Sequence, residues 1–139
     1  MVRRDVAGAT VARAETWLAD AASIFGRPPD EFMADIERRD LALFYVFLAI
    51  QGCLDLAAHW VADAGWPMPD DAASTFDVLA DRRVLHREEA STLRKAAGLR
   101  NRIAHGYAML DYPRVRREAL EGIPALRAFL TSVANAADL

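Results

Sequence analysis

Residues 41–54 read Leu-Ala-Leu-Phe-Tyr-Val-Phe-Leu-Ala-Ile-Gln-Gly-Cys-Leu, the longest run in the chain without an acidic, Arg or Lys residue. At 14 residues it is shorter than the roughly 18 to 20 that a membrane-spanning helix needs, so it is expected to be a buried core helix, with no membrane involved. Its side chains are apolar nearly all round a helix, and such a helix must be covered on more than one side. A small helical domain can cover one side and a second copy the other, which makes a homodimer the expected assembly.

On either side of this run the apolar positions recur at three- and four-residue spacing, Ala is abundant and strand signals are almost absent. A first helix is expected from about Asp5 to Phe25, with Val11, Ala14, Leu18, Ala21 and Phe25 on one stripe and Gly26-Arg27-Pro28-Pro29 as its breaker. Asp30 then caps a long second helix through Phe32, Ile36, Leu41, Phe44, Tyr45, Leu48, Leu56 and Trp60, stopped by Gly65 and Pro67. After a Pro-containing loop, Ser74 to Ala80 forms a short helix. A fourth starts near His86 to Glu89 and reaches about Tyr107, with Glu88 and Glu89 in the first turn where the helix dipole favours them. Asp111 caps the last, which tolerates Pro113 early and runs to about Ala136 with an expected kink at Gly122 and Pro124. The fold class is therefore all-α, an up-down bundle of four to five helices forming one domain over residues 1–139.

Composition excludes several classes. With 53% hydrophobic and 27% charged residues, seven Gly and six Pro, the chain of 139 residues is neither disordered nor collagenous. Cys53 is the only cysteine, so no intrachain disulfide or Cys-based zinc site is available, in keeping with a reducing cytoplasm. Arg3 and Arg4 are followed by Arg13 and Glu15 where a signal peptide needs an unbroken apolar stretch, and a cytoplasmic location is expected. The formal charge is −3, yet residues 81–117 hold ten Arg or Lys against four Asp or Glu. A phosphate-facing surface, if the chain has one, belongs there.

Three histidines could carry chemistry. His59 follows Asp55 by four residues and reads as a structural pair, and His86 sits among Arg82, Arg83 and Arg87 at a helix start. No Glu-x-x-His pair occurs, so neither a metal nor another cofactor is expected. His105 lies in the segment Arg100-Asn101-Arg102-Ile103-Ala104-His105-Gly106-Tyr107. Asn101 and His105 are one helical turn apart, but Arg100 and His105 are separated by about 140° around a straight helix. A helix end loosened at Gly106, or a two-fold partner supplying a second copy of the segment, could bring them to one cleft. The chemistry such a cleft suits is phosphodiester cleavage: imidazole exchanges protons near neutrality, and guanidinium offers a fork of donors to phosphate oxygens. In RNA the neighbouring 2′-hydroxyl supplies the nucleophile, so no metal is required.

Arg100-Asn101, His105 and Tyr107 resemble the Arg-polar-x-x-x-His-x-Tyr motif of HepT-like toxins in the HEPN ribonuclease superfamily. Asp55 and His59 in the apolar helix, the Pro-containing loop, Phe76 to Leu79 and Asp111-Tyr112 extend the resemblance across most of the chain; Gln51 departs from it, standing where many members carry an acid. The resemblance implies a HEPN-like dimeric bundle with both motifs lining one cleft, and metal-independent endoribonuclease activity as the toxin of a type VII-like toxin-antitoxin system. Arg100 and His105 would be catalytic, Asn101 their polar support, and Arg102 a contact to substrate. Tyr107 would be the site of AMPylation by a cognate MntA-like nucleotidyltransferase antitoxin, whose bulky anionic product would block a cleft meant for RNA phosphates. The alternative is a non-catalytic HEPN module that binds nucleotide or nucleic acid or docks a nucleotidyltransferase; relatives of that kind lack the Arg-His pair, which this chain keeps.

Overall fold

The computed structural model describes residues 4–139, apart from the side chains of Val6 and Tyr107; Arg3, read above as part of the N-terminus, lies outside the described residues. Regular structure among them is entirely helical. Helix α1 spans Arg4–Phe25, α2 Pro29–Ala34, α3 Ile36–Asp63, α4 Thr75–Asp81, α5 Arg87–Gly106 and α6 Tyr112–Ala136, with a 3-10 turn at Tyr107–Met109 between the last two. The α1 stripe lies where its spacing puts it: Val11, Ala14, Leu18, Ala21 and Phe25 are all buried.

The structure corrects the expectation of one long second helix. The chain breaks at Asp35, whose side chain accepts the Arg38 N–H at 3.1 Å and so caps a new helix, α3, while α2 remains a six-residue segment. That bond, with Arg27 adding a second contact at 3.1 Å, holds the Asp35 carboxyl below the usual carboxylate range. The resulting count among the described residues is six α-helices rather than four or five. At its far end α3 stops as Gly65 and Pro67 require. Gly65 adopts φ 72°, the Gly65 N–H donates to the Ala62 carbonyl at 3.0 Å and the Trp66 N–H to the Val61 carbonyl at 3.1 Å, the double bond of a Schellman cap. Gly65→Ala is expected to cost about 1 kcal/mol, because a Cβ disfavours that φ, and to lower Tm by a few degrees in a thermal melt.

Helix α3 is the axis of the bundle. By length and composition it could cross a membrane, but most of its apolar window is buried against α1, α2, α4, α5 and α6. Burial pushes the Cys53 thiol pKa upward, so it packs as a small apolar group. One side of α3 stays uncovered: Leu41 and Phe44 are 37% and 55% exposed, and Phe47 and Leu48 are half-buried. On the other side of the bundle α5 and α6 pack closely, with Gly122 buried where an added Cβ would lie 3.7 Å from Ala96. Helix α6 runs through Gly122 and Pro124 as one element.

Candidate active site

Helix α5 supplies the site because its first residues cap themselves and its last ones are aimed by packing. The His86 N–H donates to the Glu89 carboxylate at 3.2 Å, closing the first turn. Ala96, Leu99 and Ile103 bury the inner stripe against the bundle. Arg100, Asn101 and His105 therefore fall on the outer faces, and α5 ends at Gly106, where the chain tightens into the 3-10 turn.

Arg100 is half-buried beside the uncovered side of α3. Its guanidinium carbon lies 4.9 Å from the centre of the Phe47 ring, and Nη1 donates to Asn101 Oδ1 at 3.1 Å. Its Nε is buried with no acceptor, and among the described residues Arg100 forms no ion pair. Arg39 and Arg116 also have a buried Nε without an acceptor, but Arg39 has Asp40 at 3.6 Å and Arg116 donates to the Arg27 carbonyl. A guanidinium left without an anion in partly dry surroundings is costly unless something else supplies one.

His105 is exposed. It lines a groove with Asn101, Met109, Leu110 and Arg114, whereas Arg100 lines a separate groove with Gln51, Asp71 and Ala97. Asn101 borders both. Within one chain, then, the structure brings Asn101 to each partner but leaves Arg100 and His105 in different grooves, as their separation around the helix requires. Arg102, on the His105 side, is turned inward to Glu118, so it reaches the groove as half of an ion pair. Tyr107 begins the 3-10 turn; its side chain lies outside the described residues.

Two acidic residues bond side chains that line these grooves. Asp55 accepts from Gln51 Nε2 at 2.9 Å, the residue one turn before it, rather than pairing with His59 one turn after, and this bond fixes the Gln51 amide beside Arg100. Glu118 was not singled out by sequence, although its spacing from Arg114 was a visible signal. Among the described residues no three His, Cys, Asp or Glu side chains cluster so as to hold a metal ion.

Next to Phe44 the uncovered side of α3 opens into a largely apolar groove of about 400 Å³, lined by Leu43, Phe47, Ile103, Ala104 and Tyr112 with Asp40 at its edge. The exposed ring and the groove share one face, and that face leads directly to Arg100 through Phe47.

Comparison with known proteins gives a consistent result. The sequence profile of a family described as Ribonuclease HepT-like matches residues 15–133. A candidate RNase of Archaeoglobus fulgidus is 35% identical over 85 residues, a stretch that covers 61% of this chain; the chain spans 64% of that relative's length. Among solved structures, a tri-AMPylated Shewanella oneidensis HEPN toxin in complex with an MNT antitoxin superposes with a TM-score of 0.85 at 19% identity, covering 94% of this chain and 98% of that one. YutE, a cytosolic protein of unknown function from Bacillus subtilis, superposes at 0.81 with 23% identity, covering 97% and 90%. At these identities the structural matches speak to the fold, which is HEPN-like.

Proposed function

The chain belongs to the HepT-like ribonuclease family, and from that premise we propose that it is a metal-independent endoribonuclease of the cytoplasm, active as a homodimer and acting as the toxin of a toxin-antitoxin pair. The observation that carries this reading is Arg100: a guanidinium with a buried Nε lacking an acceptor, stacked on Phe47 at the edge of an uncovered apolar face. Two copies meeting through that face bury Phe44 of each and carry both Arg100 side chains toward the shared boundary. The cleft between them then takes Arg100 from one protomer and His105 from its partner, and RNA phosphate supplies the missing anion.

In that cleft His105 removes the proton of a ribose 2′-hydroxyl. The 2′-oxygen attacks the adjacent phosphorus, the 2′-O–P bond forms and the P–O5′ bond breaks, and the 5′-oxygen leaves with a proton taken from solvent water, to which His105 later returns its own. Arg100 stabilises the charge that builds on the non-bridging oxygens, and Asn101, already bonded to Arg100, keeps that fork oriented. Purified protein is expected to cut RNA in excess chelator and to leave 2′,3′-cyclic phosphate ends; cleavage that appears only after a divalent metal is added contradicts the mechanism.

The same segment is the proposed point of regulation. The Shewanella toxin is AMPylated in the company of its MNT antitoxin, and Tyr107, two residues past His105, is the position we propose for AMP here. A nucleotidyltransferase of this class would join the tyrosyl oxygen to the α-phosphorus of ATP and release pyrophosphate, placing an anion where substrate phosphates must enter. After incubation with the cognate enzyme and ATP, peptide mass spectrometry is expected to find AMP on Tyr107 and cleavage to fall in proportion. Modification at another residue, or none, overturns the switch.

A further inference from the structure

The side chain of Glu118 joins two elements that the sequence separates. One carboxylate oxygen accepts from Arg102 Nη2 near the end of α5, and the other accepts from Arg114 Nε in the first turn of α6 at 2.9 Å. The Arg114 backbone is itself pinned, its N–H donating to the Asp111 cap at 3.2 Å. Together these contacts close a ring around residues 106–111, the corner that contains the 3-10 turn and follows directly on His105.

We propose that Glu118 is a positioning residue for RNA cleavage, acting through Arg102 and Arg114 to hold the His105 end of α5 against the start of α6. This rests on the reading of His105 as the proton-transfer group. Arg102 stands one turn before His105 on the same helix, so the pair with Glu118 sets where the imidazole sits relative to the groove it lines with Arg114. The three side chains are 29% to 54% exposed, and ion pairs so exposed contribute little to stability. Their effect on rate is another matter, because a displacement on the order of 1 Å at the reacting groups costs up to about a hundredfold. A guanidinium already bonded to Glu118 also has fewer donors left for RNA, which separates the role of Arg102 from that of Arg100.

The test uses the full chain as wild type, Glu118→Ala, Arg102→Ala and the double variant, measuring RNA cleavage and amide hydrogen exchange. Each single variant is expected to lose about tenfold in kcat with KM within about twofold, and the double variant to be no worse than the poorer single one, as for residues acting in one unit. Exchange is expected to quicken across residues 106–111 and to stay unchanged in α1 and α3. Losses that multiply in the double variant overturn the proposal. So does a KM that rises in Arg102→Ala and falls in Glu118→Ala, which would mean that Arg102 grips RNA and Glu118 competes with it. Unchanged exchange at the corner overturns it as well. Were wild type to cut no RNA, the cleavage reading would fall, and the exchange result would still uphold or overturn the clamp.

Discussion

His105→Ala is expected to lower RNA cleavage by roughly a hundred- to ten-thousand-fold while leaving the melting temperature nearly unchanged. The size follows from its proposed role: a positioned general base contributes about 10² to 10⁴ in rate. The small effect on stability follows from its surroundings, since the side chain is exposed and makes no hydrogen bond with a described residue. Arg100→Ala is expected to lose about 10² to 10³, the range for one donor to a developing oxyanion. Arg100→Lys is expected to recover little, because a point charge cannot reproduce the planar fork stacked on Phe47. Gel or fluorescence assays on one RNA in excess chelator measure all three. Equal cleavage by wild type and both alanine variants would identify a contaminating nuclease and sink the assignment.

Phe44→Glu is expected to convert the protein from dimer to monomer and to abolish cleavage with it. In one chain the Phe44 ring is 55% exposed, so the fold loses little when it is replaced. In the proposed dimer the same position would sit in an apolar contact, where two symmetry-related carboxylates would each have to be desolvated, at a cost of several kcal/mol. Analytical ultracentrifugation reads the mass, and circular dichroism checks that the helices remain. A folded Phe44→Glu monomer that still cuts RNA at the wild-type rate contradicts the composite cleft; a Phe44→Glu protein that stays dimeric shows that the copies meet elsewhere.

What the sequence discloses and what it hides divide along the range of the interactions. The α1 stripe, the Gly65 stop and the Asp111 cap were legible because each depends on residues within one or two turns. That Asn101 and His105 share one face of α5, and that Arg100 lies well round the helix from His105, was legible for the same reason. The break at Asp35 was not. The apolar spacing of Phe32 and Ile36 continues across it, and Ile36 turns out to be 59% exposed, so periodicity alone could not distinguish a capped start from a continuing helix. The Arg102–Glu118 pair spans 16 residues and two helices, and its partner choice is a tertiary fact that only the folded corner supplies. Asp55 chose Gln51 over His59 although both lie one turn away, a local competition that spacing leaves even.

The most direct measurement mixes two inactive proteins. Arg100→Ala and His105→Ala subunits, combined in equal amounts and allowed to exchange, form mixed dimers in half of the population, each with one complete site out of two. About a quarter of wild-type RNA cleavage is expected to return. If the mixture stays as inactive as its parents while mass measurement shows that mixed dimers have formed, Arg100 of one protomer and His105 of its partner do not share a cleft, and the account is wrong at its centre.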